Sequence, residues 1–221
     1  MKWILFVLLI IISVYSLTGC SIICPSVPKD YHDDTLIPLN KPVNNVLDAY
    51  DFSDKRVKEW GMLYTKLGMI TIYFTGKQMQ DQRGTVEYIF DADDGKDNYL
   101  AQVIVTVDMK SATSTSFDVS FDPRTNTKRN KDGYQEGWAA INSTDFSEWT
   151  LTLDEAFSII YNRFGNNAFS QYENPKITLN CSSDKWIFYV TKENETIIST
   201  NGKFSITINP INKEIMETTG F

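Results

Sequence analysis

Histidine is almost missing from this chain: His32 is the single one in 221 residues. A Ser-His-Asp or Cys-His site needs a positioned imidazole. His32 instead stands among Pro25, Pro28, Pro38 and Pro42, in a stretch with no sustained period of 2 or 3.6, so no such site is expected. The zinc patterns H-E-x-x-H and paired C-x-x-C are lacking. So are G-x-x-x-x-G-K-[ST] and G-x-G-x-x-G, which leaves no motif for a phosphate or a dinucleotide. No cofactor is implied. Positive charge is also scarce, with 21 Lys and Arg against 28 Asp and Glu. Nucleic acid rewards clustered cations, so it is not an expected partner, and a basic patch for anionic lipid is not expected either.

Long apolar runs are missing too, except at the start. Ile4 to Tyr15 is apolar apart from Ser13, and Lys2 precedes it. This is the layout of a signal peptide, whose apolar stretch runs to about 7–15 residues. A membrane-spanning helix needs about 20. Leu17-Thr18-Gly19-Cys20 closes the stretch and resembles the lipobox of bacterial lipoproteins. The resemblance implies export, cleavage between Gly19 and Cys20, and acylation of Cys20. The chain would then sit on the extracytoplasmic side of the cell membrane or outer membrane, with the bilayer as its first partner. Several acyl chains hold firmly where one does not, each buried methylene contributing about 0.8 kcal/mol. Ser21 follows the cysteine. An Asp there usually favours inner-membrane retention in Gram-negative lipoproteins, so Ser21 permits the outer membrane.

Removal of residues 1–19 leaves 20 basic and 28 acidic residues, a balance of −8. Residues 20–44 read as the lipidated cysteine and a proline-rich tether, since proline removes backbone donors and favours extended chain. Of the three cysteines, Cys24 and Cys181 remain beyond the anchor. Two alternatives stand: a disulfide between them, which an exported compartment permits, or a Cys181 buried in a strand with Cys24 free.

The body beyond residue 44 alternates helix and strand signals. Val57, Trp60, Leu63, Tyr64 and Leu67 recur at helical spacing and predict a helix over 54–67. Strands are predicted at Met69–Thr75, Thr85–Phe90 and Tyr99–Asp108, and around Phe117, Val119 and Phe121. Asp91 to Asn98 reads as the polar tip of a hairpin. Thr152-Leu153-Asp154-Glu155 fits a capping box. Leu153, Ala156, Phe157, Ile160 and Phe164 then predict a helix over 153–164, closed by Gly165. Lys176–Asn180, Trp186–Thr191, Thr196–Ser199 and Phe204–Ile208 follow as strands, with Asn201-Gly202 as a hairpin turn. The runs Phe117–Pro123 and Phe204–Pro210 share the form F-x-[VI]-[ST]-[FI]-[DN]-P. The echo raises a duplication of one unit. The expected fold class is α+β, antiparallel sheets each packed by a helix, over units 45–137 and 138–221.

Leu153-Asp154-Glu155-Ala156 opening a helix, Trp186 to Val190, and Phe204 to Pro210 before Lys213-Glu214-Ile215 resemble a PepSY-type domain. The turn Asn209-Pro210-Ile211-Asn212-Lys213 lacks the Asp and Gly usual there. The resemblance covers about a third of the chain and implies two PepSY-like units in tandem if the echo marks a duplication. Members are often exported or membrane-tethered and are associated with binding or restraining peptidases. They lack a catalytic motif, so no functional residue carries over.

The dense carboxylates Asp91, Asp93, Asp94 and Asp97 are weak calcium candidates. An EF-hand loop opened by Asp91 would need Gly and Glu where Lys96 and Gln102 stand, so a solvated hairpin tip is the preferred reading and no metal is expected. Trp149, Trp186 and Tyr161 read as core or core rim. Trp138 and Tyr134, in the loop Asp132 to Trp138, are the candidate contact residues. The preferred function is a non-catalytic lipid-anchored ectodomain that binds a protein or peptide partner in the envelope. The alternatives are an immunity or inhibitor protein, and an envelope hydrolase with an unidentified carboxylate site.

Overall fold

Branched and aromatic side chains alternate with polar ones along much of this chain, and such a period buries one face only when strands lie side by side. In the computed structural model they form one antiparallel sheet. The structure describes residues 30–75, 78, 81–93, 99–121, 144–170, 172, 174–192 and 204–220. The elements are β1 (Tyr31–Asp33), β2 (Ile37–Pro38), α1 (Tyr50–Glu59), β3 (Tyr64–Phe74), β4 (Thr85–Asp93), β5 (Tyr99–Asp108) and β6 (Thr113–Phe121). Then come α2 (Leu153–Phe164), β7 (Pro175–Ser182), β8 (Lys185–Lys192), β9 (Ser205–Ile208) and β10 (Ile215–Thr219).

The ten strands lie in the order β1-β6-β5-β4-β3-β7-β8-β9-β10, with β2 also on β6. This corrects the expected α+β class with separate helix-packed sheets: the fold is mostly β, a single large antiparallel sheet with two short helices among the described residues. The joint is β3 against β7, in register from Ile70 with Cys181 to Phe74 with Ile177. Two sheets side by side would each expose a row of unpaired backbone groups; pairing β3 with β7 removes both rows. Among the described residues each half runs as a helix followed by four strands. Of the two echoing runs, Phe117–Phe121 lies on β6 and Ser205–Ile208 forms β9; the expected strand Thr196–Ser199 and the turn Asn201-Gly202 lie outside the described residues.

Both helices pack on the same face. From α1, Tyr50 stacks on Phe90 at 6.2 Å. Trp60, just past its end, meets Phe117 at 6.0 Å. From α2, Phe157 meets Phe74 at 5.3 Å and Phe188 at 5.6 Å. The inward residues are Ile70, Ile72 and Phe74 on β3, Val86, Tyr88 and Phe90 on β4, Val103, Val105 and Val107 on β5, and Ile177, Leu179 and Cys181 on β7, all at or near zero exposure. Tyr88 Oη, fully buried, donates to Val46 O at 2.7 Å and accepts from Ala49 N at 3.3 Å. Its polar atom is thus satisfied at both lone pair and proton.

The expected helix over 54–67 is displaced. It ends at Glu59, and Gly61 follows at φ +108°, a conformation side chains rarely adopt. Tyr64 to Leu67 already belong to β3, so their helical spacing was coincidental. The second helix matches its prediction to the residue. Thr152 accepts from Glu155 N, and Glu155 accepts from Thr152 N at 2.9 Å. Lys213 Nζ donates to Glu155 Oε1 at 2.8 Å. That bond, with the capping bonds, holds the Glu155 carboxyl down at about 2.

Three strands fall outside the predicted set. β1 and β2 lie in the stretch read as tether and pair with β6, Tyr31 with Val119 and Ile37 with Ser114. Arg56 of α1 ties β1 to β6, with Nη2 donating to Asp33 Oδ2 at 2.9 Å and Nη1 to Ser114 Oγ at 2.6 Å. β10 pairs with β9 at the opposite edge, with a register shift between Ile215 and Glu217.

Candidate functional site

Alternation sends every second strand residue to the face opposite the helices. Two rows cross the whole sheet there. One runs Asp108, Thr85, Tyr73, Thr178, Tyr189 and Ser205, and the other Ser116, Thr106, Glu87, Thr71, Asn180, Ile187 and Thr207. Both pass without a break over the β3–β7 joint. Among the described residues no helix covers this face. Parts of it are nevertheless buried: Thr71, Ile89, Asp91, Thr178, Thr191 and Thr207 are at most 8% exposed, Thr178 standing in register between Tyr73 and Tyr189.

At the centre, Tyr73 Oη donates to Glu87 Oε2 at 3.1 Å. Lys176 Nζ lies over the Tyr73 ring, 5.1 Å from its centroid, a cation–π contact. Partial burial pushes the Glu87 carboxyl up, against the Tyr73 hydrogen bond that favours its ionised form; the nearby Asp118 charge adds to the rise. Burial also raises the Tyr73 hydroxyl well above its ordinary value, with Glu87 adding to the effect. Glu87 therefore keeps its proton to higher pH than a solvated glutamate. Asn180 Oδ1, on the same face, is buried and has no hydrogen-bond partner. It is an acceptor awaiting a donor, a state that costs about 1–3 kcal/mol.

A second cluster sits near the β1 edge. His32 Nδ1 and Asp118 Oδ1 are 2.5 Å apart. That hydrogen bond, followed by the Asp118 charge, raises the His32 imidazole above its ordinary value. Ser116 Oγ lies 2.9 Å from both Asp118 Oδ2 and Thr106 Oγ1, so it donates to the carboxylate and accepts from the threonine. His32, read from sequence as tether, is thus held by a strand. Among the described residues its partner is a carboxylate rather than a nucleophile.

Of the carboxylates expected to cluster, the structure places two. Asp91 does not lie in a turn: it is in β4, 4% exposed, opposite Gln102. Asp93 ends that strand opposite Tyr99, and Asp94 and Asp97 lie outside the described residues. Among the described residues no group of three or more His, Cys, Asp or Glu is arranged to hold a metal ion. Cys181 is a buried free thiol on the inner face of β7, and burial pushes it well up. Cys24, Gly19, Cys20, Tyr134 and Trp138 lie outside the described residues. Trp186 is 1% exposed, and half-buried Trp149 meets it edge to face at 5.4 Å, its own Nε1 donating to Ser183 O at 3.0 Å. Both are core, as the sequence suggests.

Sequence reading named none of Tyr73, Glu87, Lys176, Asn180 or Tyr189 as a site. The available signal was the outward half of each alternating strand, which is rich in Thr, Ser, Tyr and Asn. What the strand pattern could not say is that all ten outward rows lie on one surface. Comparison with known proteins adds no relative to this picture: no family model, no curated protein and no solved structure matches the chain.

Proposed function

We propose that this chain is a lipid-anchored extracytoplasmic protein whose sheet face opposite the helices binds a protein partner, without catalysis. The observation that carries the reading is the broad face crossed by the Tyr73 and Glu87 rows. Tyr, Ser, Thr and Asn give adaptable hydrogen bonds and large contact area at low entropic cost. A strand-borne surface is also rigid before binding, which lowers the cost of association. The lipobox-like Leu17-Thr18-Gly19-Cys20 supports the anchor.

Charge on this face selects little: Glu87, Asp108 and Glu217 stand against Lys66, Lys176 and Lys185, Asp118 is paired with His32, and Asp91 is buried. The acidic balance of the whole chain is what an immunity or inhibitor protein would use against a basic toxin or enzyme, since complementary charge speeds encounter and rejects wrong partners. The hydrolase alternative has less behind it: among the described residues Glu87 is hydrogen-bonded to Tyr73 on a sheet face rather than paired with a carboxylate across a cleft.

The test is capture from envelope extracts with the full-length protein, beside a Tyr189→Ala, Ile187→Asp double variant checked for folding by circular dichroism. The expected result is one protein retained by the wild type and lost from the variant. Equal retention by both would remove the face from the account. Mass spectrometry reporting an unmodified Cys20 would remove the anchor.

A further inference from the structure

Most large apolar side chains of the described residues are buried, but a corner of the molecule is an exception. Tyr31, Trp60, Leu63 and Tyr64 are 41%, 37%, 68% and 58% exposed. Tyr31 opens β1, and its ring lies 5.5 Å from Trp60 at the end of α1. Leu63 and Tyr64 follow within four residues at the start of β3, at the same end of the sheet as Tyr31 but with β6, β5 and β4 between β3 and β1, so they widen this apolar end beyond the Tyr31–Trp60 pair. The corner is built rather than frayed. Trp60 rests on Phe117, Arg56 lies 4.9 Å from the centre of the Phe117 ring, and Arg56 also holds Asp33 of β1.

Its position relative to the tether is decisive. Ten residues, Ser21 to Asp30, lie between Cys20 and Tyr31. The eleven steps from Cys20 to Tyr31 reach at most about 40 Å, at roughly 3.3–3.6 Å per residue. Tyr31 opens the first strand, so the chain enters the fold at the corner. We propose, resting on the lipid-anchor reading above, that this corner is the membrane-facing side of the domain, and that Trp60, Tyr31, Tyr64 and Leu63 seat in the headgroup region of the bilayer. Trp and Tyr prefer that region because each offers an apolar ring and a polar tip. The −8 balance of the mature chain argues against charge-driven adsorption, so the lipid engaged is neutral, through burial of apolar area. Seating the β1 corner also fixes which way the sheet face points, instead of leaving the domain to swing on its tether.

The test uses the full-length lipidated protein in phosphatidylcholine vesicles, with and without brominated acyl chains, reading tryptophan emission. Flotation of the protein with the vesicles is measured first. The expected result is bromine quenching in the wild type, most of which disappears in Trp60→Phe. Because Trp60 also packs on Phe117, a second variant keeps the indole and adds a charge at the most exposed position: Leu63→Glu should weaken the quenching while leaving the circular dichroism spectrum unchanged. A protein that floats but is quenched equally with and without Trp60 would overturn the membrane-facing corner and leave the anchor standing. A protein that does not float overturns both.

Discussion

The two faces of the sheet are made by the same ten strands, yet they have opposite fates. On the helix side, Phe74, Phe157, Phe169 and Phe188 form a ring cluster with spacings of 5.3 to 6.4 Å. On the other side, Tyr73, Glu87 and Lys176 meet through one hydrogen bond and one cation–π contact. Adjacent residues such as Tyr73 and Phe74 thus do different work. The inner row contributes burial, about 25 cal/mol for each Å² removed from water. The outer row contributes chemistry. The lesson is that binding chemistry can vary on this scaffold at small cost, provided the inner row is kept.

A short series of substitutions would break or sharpen that contrast. The largest effect is expected for Phe157→Ala, which opens a cavity among Phe74, Phe169 and Phe188. A loss of about 3–5 kcal/mol is expected in denaturant unfolding, whereas Tyr189→Ala on the outer face should cost about 1 kcal/mol or less. Similar losses from both would mean that the outer face is as tightly packed as the inner. Next comes Gly84→Ala, which probes the backbone between the faces. A Cβ there would lie 2.2 Å from Tyr73 O and 2.9 Å from the Phe74 ring, and the carbonyl cannot swing away as a flexible side chain could. A loss of about 1–3 kcal/mol is expected, read as a fall in midpoint. Thr152→Ala removes the capping hydroxyl of α2 and should lower stability by about 1 kcal/mol; an unchanged melting temperature would show that Lys213 and Glu155 hold the helix end without it.

The smallest effect concerns pH. Burial raises Glu87 in the fold, so the folded chain binds that proton more tightly than the unfolded one. Its contribution is therefore fully present below the ordinary glutamate range and is lost as pH rises through the folded value. Glu87→Gln should flatten stability against pH just above that range. Glu155 has the opposite sign: its carboxyl is held at about 2, so its contribution is present above its unfolded value near 4.5 and fades as pH falls toward about 2. Measuring unfolding across acid pH in Glu87→Gln and Glu155→Gln separates the two, and identical profiles for Glu87→Gln and wild type would show that Glu87 is solvated like any surface glutamate.

Much of the fold was legible locally. The Thr152–Glu155 capping box and the apolar positions to Phe164 bound α2 because every partner in that signal lies within one turn. The strands from Thr85 and Tyr99 onward announced themselves through Val103, Val105 and Val107, whose alternation is a property of the chain itself. β1, β2 and β10 were not legible. Tyr31–Asp33 and Ile37–Pro38 are too short and too proline-rich to show a period, and they are strands only because β6 offers them an edge. Asp91 misled for a related reason: a buried Asp is rare enough that the cluster read as a turn, whereas β4 carries it through.

Taken alone, the order of residues determined most of the longer extended segments, where α2 starts and stops, which side of those strands is apolar, and the lipobox-like start. Only the tertiary structure decided that β3 joins β7, that both helices share one face, and that Tyr73, Glu87, Lys176 and Tyr189 come together on the other. The reason is range. Periodicity and capping are written by neighbours a few positions apart, whereas the pairing of strand edges uses backbone groups that every residue shares, so its choice is made by which burial the whole chain can achieve at once.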